Sequence, residues 1–390
     1  MSVPGTARVV IVGGGVIGVS VAFHLAEAGV TDVLLLEAGA LGSGSSSKAA
    51  GGVRAQFSDR VNIELGQRSL EAFGRFAARP GGQIDFHQVG YLFLLDDPGT
   101  AATFEQNAAL RNELGVPSRM ISPREAFALS PLISTAGLVA AAYSPADGHC
   151  TPESVVLGYA AAARALGARL VTGTRVTGIE AGPDGFEVRT PEQTVRAETV
   201  ICAAGAWSAR VGAWVGTHLP VTPLRRQIVV TGPVAGLPER LPMTIDFATS
   251  LYFHREGQGL LIGMSDPEET PGYRLDRSDS WLPRLAKAMT RRAPRLADHG
   301  IASGWAGLYE DTPDHNGLIG EATPAPGGRF LYATGFSGHG FLMAPAVGEV
   351  LRDMYLGRRP PVDVSPLDAG RFAAAGVHGV YAARPELNIV

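Results

Sequence analysis

Apolar runs separated by glycine and polar residues mark the first structural unit of this 390-residue chain. Residues 9–12 form a continuous apolar run, which is typical of a buried parallel strand. An alanine-rich apolar stretch then extends to Ala28 and is followed by Gly29, a residue that favours a helix C-terminus. Residues 32–36 contain a second apolar run (Val-Leu-Leu-Leu) and are predicted as a second buried strand that ends at Glu37. The pattern predicts a strand, a turn, a helix and a second strand, which together form a βαβ unit.

The rest of the chain divides into helical and strand-like stretches. Helices are predicted over residues 59–78, 101–114 and 123–129, from Thr151-Pro152-Glu153 onward, and from about 341 through Met354. Strands are predicted over residues 89–95, 169–171, 185–188, 199–202, 226–231, 259–264 and 329–334. Because several stretches within residues 220–317 alternate between apolar and polar positions, that region is expected to form an antiparallel sheet.

Composition and charge narrow the functional classes. The formal net charge of −4 argues against a general nucleic-acid binder, and no apolar run reaches the length of a transmembrane helix. No charged leader with a cleavage site is seen at the N-terminus, so we expect no secretory signal. The two cysteines, Cys150 and Cys202, form no CxxC pair, which fits a reducing cytoplasm. The sequence contains no HExxH, P-loop or GxSxG motif, and we expect no metal site.

A glycine motif lies between the first predicted strand and helix. Gly13 permits a tight turn, Gly15 lets the backbone approach a pyrophosphate, and Gly18 lets the helix pack closely on the strand. The helix N-terminus offers free N–H groups to the phosphates, and Glu37 can accept hydrogen bonds from ribose hydroxyls. The set predicts a dinucleotide site, with a glycine-rich turn in an α/β core as the alternative. The motif does not separate FAD from NAD.

Four further segments carry a more specific resemblance: residues 42–54 (GSGSSSKAAGGVR), 203–208 (AAGAWS), 305–314 (WAGLYEDTPD) and 335–341 (GFSGHGF). Together with the glycine motif, their order and spacing resemble the FAD-dependent D-amino-acid oxidase (DAO) family over residues 8–355. The branch that they resemble most contains sarcosine oxidase, glycine oxidase and amino-acid dehydrogenases.

The resemblance implies an α/β fold of the DAO type, similar to glutathione reductase. A Rossmann-like FAD-binding domain would be joined to a second, mostly antiparallel α+β substrate domain. We expect the FAD-binding domain to comprise residues 1–85, 146–219 and 318–375. The substrate-binding domain would comprise residues 86–145 and 220–317, and residues 376–390 would form a C-terminal tail.

The resemblance also implies which residues bind FAD. The expected contacts are Gly13, Gly15, Val16, Ile17, Gly18, Glu37 and Ala38 at the ADP half; Ser46, Ser47, Lys48 and Ala49 along the flavin and pyrophosphate; Val176 over the adenine; Ala204, Gly205 and Trp207 at the pocket edge; and Gly338, His339, Gly340 and Leu342 near the pyrimidine end of the flavin. Lys48 would neutralise pyrophosphate or flavin charge or assist reaction with oxygen, unless the loop directs it outward.

Departures from the family pattern change the expected chemistry. The position of the cysteine that attaches FAD in monomeric sarcosine oxidases is Gly307, and the Gly/Ser loop has no histidine, so we expect noncovalent FAD. Leu261 stands where those oxidases place an oxygen-activating lysine, which favours a dehydrogenase, although other oxidases of the family lack that lysine. Leu342 and Tyr309 replace two cations that bind the substrate carboxylate in relatives.

The expected reaction is oxidation of the C–N bond of an amino acid or other amine. A hydride equivalent would pass from the carbon next to nitrogen to flavin N5, and the imine product would hydrolyse. The catalytic candidates are Arg54, Tyr252, Tyr309 and His339. Arg54 matches the family's carboxylate-binding arginine, but an ordinary surface arginine is the alternative. Tyr252 and Tyr309 can supply hydroxyls or aromatic walls, or can be core aromatics.

Other functions stay open at this point. The same scaffold can oxidise a 2-hydroxy acid or a biosynthetic intermediate, or act as a non-catalytic FAD-containing assembly subunit. It can also be one subunit of a heteromeric dehydrogenase. Reduced flavin would pass its electrons to oxygen or to another acceptor. An oligomer or a heteromeric partner is possible on this sequence, whereas no nucleic-acid partner and no membrane span are expected.

Overall fold

A computed structural model of the protein describes residues 3–182, 184–297, 299–322, 327–372 and 386. Its α-helices are α1 (Val16–Glu27), α2 (Arg60–Gly74), α3 (Pro98–Glu113), α4 (Pro123–Leu129), α5 (Pro152–Ala165), α6 (Ser208–Trp214), α7 (Leu282–Arg292) and α8 (Gly340–Tyr355). Its strands are β1 (Thr6–Val12), β2 (Val33–Leu36), β3 (Gly52–Val53), β4 (Tyr91–Leu95), β5 (Arg119–Ile121), β6 (Ala140–Ser144), β7 (Gly148–His149), β8 (Arg169–Val171), β9 (Gly178–Gly182), β10 (Gly185–Arg189), β11 (Thr194–Cys202), β12 (Thr222–Thr231), β13 (Met243–Asp246), β14 (Leu251–Glu256), β15 (Gly259–Met264), β16 (Ile301–Asp311), β17 (Leu318–Glu321) and β18 (Arg329–Thr334).

The first sheet contains the predicted βαβ unit. Its strand order is β17-β18-β11-β1-β2-β8, and the β9–β10 hairpin pairs with β11. Strands β18, β11, β1, β2 and β8 are parallel, which fits the apolar runs at the end of β1 and throughout β2. Helices α1, α5 and α8 pack together, and their apolar side chains share a buried core with those of β1 and β2. This arrangement confirms the predicted α/β fold.

The second sheet is mostly antiparallel, as the alternating pattern predicted. Its order is β16-β12-β15-β14-β13-β4-β6-β5, and only the β13–β4 pair is parallel. One face packs against α7 and the fully buried Trp281. Helix α3 begins earlier than predicted because Asp97 accepts the backbone N–H of Thr100 and Pro98 takes the first helical position.

The two sheets draw on separate parts of the sequence. The first uses strands within residues 6–36, 169–202 and 318–334, and the second uses strands within residues 91–144 and 222–311. The domain limits themselves stay a prediction, and the tail predicted over 376–390 lies outside the described residues except for Glu386. None of the described helices has the length and apolar character needed to cross a membrane.

Candidate active site

A cavity of about 730 Å³ extends from the first sheet to the second. One end lies where β1, β2 and β11 finish, and it is lined by Val12, Gly13, Leu36 and Ala203. Ligands of open α/β sheets bind in this place, outside the carboxyl ends of the strands. The other end is lined by side chains of the antiparallel sheet.

The glycine motif has the close packing that its sequence predicts. Gly13 has φ +111°, and a β-carbon there would overlap the carbonyl oxygen of Ala203. A β-carbon at Gly18 would overlap the carbonyl oxygen of Gly13, so Gly18 brings α1 against the turn. Gly15 lines the cavity at the start of α1, where any side chain would stand between the backbone and a ligand.

Two side chains tie the surrounding loops to this turn. The Glu37 carboxylate accepts the backbone N–H groups of Gly14 and Gly39, each at 2.7 Å, and it lines the cavity at the end of β2. The Ser46 hydroxyl accepts the N–H of Val16 at 2.9 Å, in the first turn of α1. The Gly/Ser loop is therefore fixed over the helix N-terminus, where a phosphate group would be favoured.

Most of the predicted cofactor residues come together along this cavity. Those that line it are Gly13, Gly15, Val16, Ile17, Glu37, Ala38, Ser46, Lys48, Ala49, Val176, Ala204, Gly205, Trp207, Gly338, His339, Gly340 and Leu342. The lining does not include Gly18, whose close approach to Gly13 serves packing, or Ser47. The four catalytic candidates, Arg54, Tyr252, Tyr309 and His339, all line it.

The substrate end is a row of side chains across neighbouring strands. Ile245 of β13 lies opposite Tyr252 of β14, Tyr252 lies opposite Gly263 of β15, and Gly263 lies opposite Ile228 of β12. Gly263 leaves room for the Tyr252 ring, which a β-carbon there would overlap. The three side chains of this row line the cavity because residues opposite one another project from the same face of a sheet.

Arg54 and His339 form a buried pair at this end. The Arg54 Nη2 lies 3.0 Å from the His339 Nε2, and its Nη1 donates to the carbonyl oxygen of Gln56. An arginine only donates, so the His339 Nε2 accepts and the ring proton is assigned to Nδ1. Burial, together with the charge of Arg54, lowers the pKa of His339 well below its usual value, which keeps the ring neutral.

Three tyrosines surround the same space: Tyr91, Tyr252 and Tyr309. A phenol is already protonated at neutral pH, and burial raises the pKa of all three further, so each keeps an O–H group to donate. None of these hydroxyls has a hydrogen-bond partner among the described residues, although each residue lines the cavity. Their O–H groups are therefore available to a ligand.

Sequence reasoning missed several lining residues, notably Arg226, Tyr91, Met243 and Glu310. Burial raises the pKa of Glu310, and its carboxylate accepts a hydrogen bond from the Thr334 hydroxyl at 3.0 Å. The available signal was period-two alternation, which places Arg226 and Ile228 on one face of the predicted strand. Which face meets the cavity depends on sheet register, which alternation alone does not give.

The glycine turn, the acid at the end of β2 and the adjoining chamber of phenols and apolar side chains define a dinucleotide-dependent oxidoreductase. The sequence matches the family described as FAD dependent oxidoreductase (DAO) over residues 8–354, and the chain belongs to that family. FAD is accordingly its cofactor, and the glycine turn and the long cavity fit that group.

Known proteins similar to this chain agree with that family. Mitochondrial dimethylglycine dehydrogenase of Mus musculus is 33% identical over 94% of this chain, which spans only 44% of that longer protein. Glycine oxidase of Geobacillus kaustophilus is 30% identical, with 93% of this chain and 96% of that protein covered. The crystal structure of L-proline dehydrogenase from P. horikoshii superposes with a TM-score of 0.89 at 33% identity, covering 95% of this chain and 99% of that one.

Proposed function

We propose that this chain is an FAD-dependent amine oxidoreductase that oxidises the C–N bond of an amino acid or a closely related amine. The observation that carries the proposal is the continuous cavity, which joins the dinucleotide turn to a chamber with three free phenols. The similar proteins are named for dimethylglycine, glycine and L-proline, each of which has an amine next to a carboxylate-bearing carbon. This chain spans less than half the length of the mammalian relatives. Support for the proposed activity therefore comes from the geometry of the cavity as well as from the similarity to those proteins.

The chain's own residues would bind and orient the amine. FAD, when bound, supplies the acceptor for the hydride equivalent. Ile228, Met243 and Ile245 line the substrate end with apolar groups, which lower the pKa of a bound amine by desolvation. Tyr252 and Tyr309 offer hydroxyl donors, and the neutral amine then needs no strong protein base. Arg54 would hold His339 in one tautomer beside the cofactor.

Noncovalent attachment of FAD is part of the proposal. Gly307 has no side chain to form a covalent link, and the Lys48 β-carbon lies only 2.6 Å from where a Gly307 β-carbon would stand. The described Gly/Ser loop contains neither cysteine nor histidine. Acid precipitation of the holoprotein should therefore release all of the flavin into the supernatant, whereas flavin in the pellet would contradict this part of the proposal.

The cellular setting and partners belong to the same proposal. Cys150 and Cys202 are both buried and unpaired, which fits a reducing cytoplasm. The reduced flavin would pass its electrons to oxygen or to a second redox protein. In the second case, the chain would form an oligomer or a heteromeric assembly with that protein. The expected domain limits remain those given above, with the two sheets as their support.

Anaerobic visible spectroscopy tests the function. The holoprotein would be mixed with sarcosine, glycine, both prolines, and D- and L-amino acids, with matching 2-hydroxy acids as a second set. Bleaching of the flavin band by an amine supports the proposal, and readmitted air separates oxidase from dehydrogenase. Bleaching only by 2-hydroxy acids would replace it with alcohol oxidation. No bleaching by either set would favour a non-catalytic FAD subunit.

A further inference from the structure

Two neighbouring arginines of β12 lie on opposite faces of the second sheet. The Arg225 guanidinium is buried and pairs with Glu269 at 2.8 Å and with Asp276 at 3.1 Å. Arg226 lies on the other face, where it lines the cavity together with Ile228. Successive side chains of a strand point to opposite faces of the sheet. Arg225 therefore forms ion pairs on one face, while Arg226 faces the cavity on the other.

Arg226 has no anionic partner in the described part of the chain. No carboxylate oxygen there lies within 4 Å of its nitrogens, and its Nη1 makes only a long contact of 3.3 Å to the carbonyl oxygen of Arg225. The Nε is buried without any hydrogen-bond partner. A buried donor of a charged group is costly to leave unsatisfied, so the geometry calls for a ligand acceptor at this point.

Arg226 lies beside a glycine of β16, the Lys48 stem and the Tyr309 ring. Gly307 lies directly opposite Arg226 in the β12–β16 pair and contributes no side chain. The Lys48 stem approaches Gly307 from the Gly/Ser loop (residues 39–52), and the Arg226 guanidinium lies 5.1 Å from the centre of the Tyr309 ring. Burial raises the pKa of Asp311, farther along β16, and the charge of Arg226 lowers it, but the two residues form no ion pair within 4 Å.

Arg54 is less suited to receive an anion. One of its terminal nitrogens donates to the carbonyl oxygen of Gln56, and the other donates to His339. Its guanidinium also lies over the Phe57 ring, 4.2 Å from the ring centre. The protein already engages this side chain, whereas Arg226 keeps donors without acceptors.

We infer that Arg226 receives the carboxylate of the substrate, with the Tyr309 hydroxyl as the adjacent donor. The inference rests on the proposed function and narrows its substrate class to amino acids with a free carboxylate. Amines without that group would bind poorly. The Arg226 Nη2 has no hydrogen-bond partner among the described residues and is the donor that a carboxylate would meet, since a guanidinium forms charge-assisted hydrogen bonds to carboxylates.

Binding can be measured without turnover. Carboxylates that carry no oxidisable amine, such as acetate and pyrrole-2-carboxylate, would be titrated into oxidised holoprotein while the flavin absorbance is followed. We expect Arg226→Gln to raise the Kd by 10- to 100-fold, the usual loss for a charged hydrogen bond, and Arg226→Lys to recover part of it. Arg255→Gln is the matched control, because Arg255 bonds to the carbonyl oxygens of Gly257 and Pro238 outside the cavity.

A second titration shows whether the carboxylate itself is recognised. The amide of the same acid should bind equally weakly to wild type and to Arg226→Gln. Equal affinity of Arg226→Gln and wild type for the acid would overturn the inference, as would a similar loss for acid and amide. A large loss confined to Arg54→Gln would also overturn it. If no amine reduces the wild-type flavin, the proposed function fails, but these titrations still decide what Arg226 binds.

Discussion

The two ends of the cavity are constructed by different parts of the chain. At the dinucleotide end, one short segment of the chain, the β1–α1 turn, lines the cavity with its glycines and backbone groups. At the substrate end, side chains come from five strands, β4, β12, β13, β14 and β16, which together span residues 91–311. The first end tolerates little change because it depends on close backbone packing. We expect the second end to tolerate single side-chain substitutions with FAD still bound, because no backbone of the β1–α1 turn depends on them.

The largest effect is expected from a side chain in the glycine turn. Gly18→Val would place its β-carbon on the carbonyl oxygen of Gly13, forcing α1 away from the turn. We expect loss of bound FAD and a decrease of about 3 kcal/mol or more in the free energy of unfolding. Flavin absorbance per chain and denaturant unfolding measure the two effects. Gly74→Ala is the control, since nothing lies within 4 Å of its added β-carbon, and retention of FAD by Gly18→Val would contradict the packing argument.

The neighbouring arginines of β12 separate folding from binding at the substrate end. Arg225→Met would remove one of the two charged partners of the buried Glu269 and leave Arg274 as the other. We expect a loss of about 2–3 kcal/mol in the free energy of unfolding. Arg226→Met should cost less than about 1 kcal/mol, since it breaks no ion pair among the described residues. Equal losses in the two variants, measured by denaturant unfolding, would show that both arginines hold the fold.

The difference between the two ends of the cavity explains which site residues could be predicted from the sequence. Gly13, Gly15 and Glu37 were predicted because their roles follow from spacing around one strand and one helix. Arg226 and Tyr91 were not, because their place in the site depends on register between strands distant in sequence. The strand predicted over residues 226–231 is present as part of β12, with alternating side chains. Alternation alone does not show which face of the sheet contacts a ligand. The sequence predicted that Arg54 lies at the site, and it does line the cavity. Its hydrogen bonds to Gln56 and His339 could not be predicted, because they depend on the folded structure.

A smaller effect concerns acid stability near the substrate end. Burial first, and then the charges of His254 and His87, lower the pKa of His149 to about 2, against 6.5 for an unperturbed histidine. The unfolded chain therefore takes up a proton near pH 6.5 that the folded chain excludes, and stability falls as the pH decreases below that value. Relative to His149→Phe, wild type should lose about 2 kcal/mol of unfolding free energy between pH 7.5 and pH 5. Parallel pH curves for the two proteins would contradict a neutral buried His149.

The smallest effect is expected from removing one free hydroxyl. Tyr309→Phe should leave the free energy of unfolding unchanged, because this hydroxyl has no partner among the described residues. Substrate affinity should fall by about 3- to 10-fold, the loss of one hydrogen bond. Tyr332→Phe is the contrasting variant, since the Tyr332 hydroxyl donates to Asp368 at 2.6 Å away from the cavity. That variant should lose stability and keep its substrate affinity. Steady-state kinetics and thermal unfolding of both proteins would show the opposite pattern if Tyr309 were only structural.

The most direct test of the whole account is an anaerobic titration of the FAD-loaded chain with the amine that reduces it. If the chain oxidises an amine, one equivalent of amine should bleach one FAD per chain and yield one equivalent of carbonyl product after the imine hydrolyses. The corresponding 2-hydroxy acid should leave the flavin oxidised. Full bleaching by the 2-hydroxy acid, or an oxidised flavin after every amine, would contradict the assignment of the second end as an amine site.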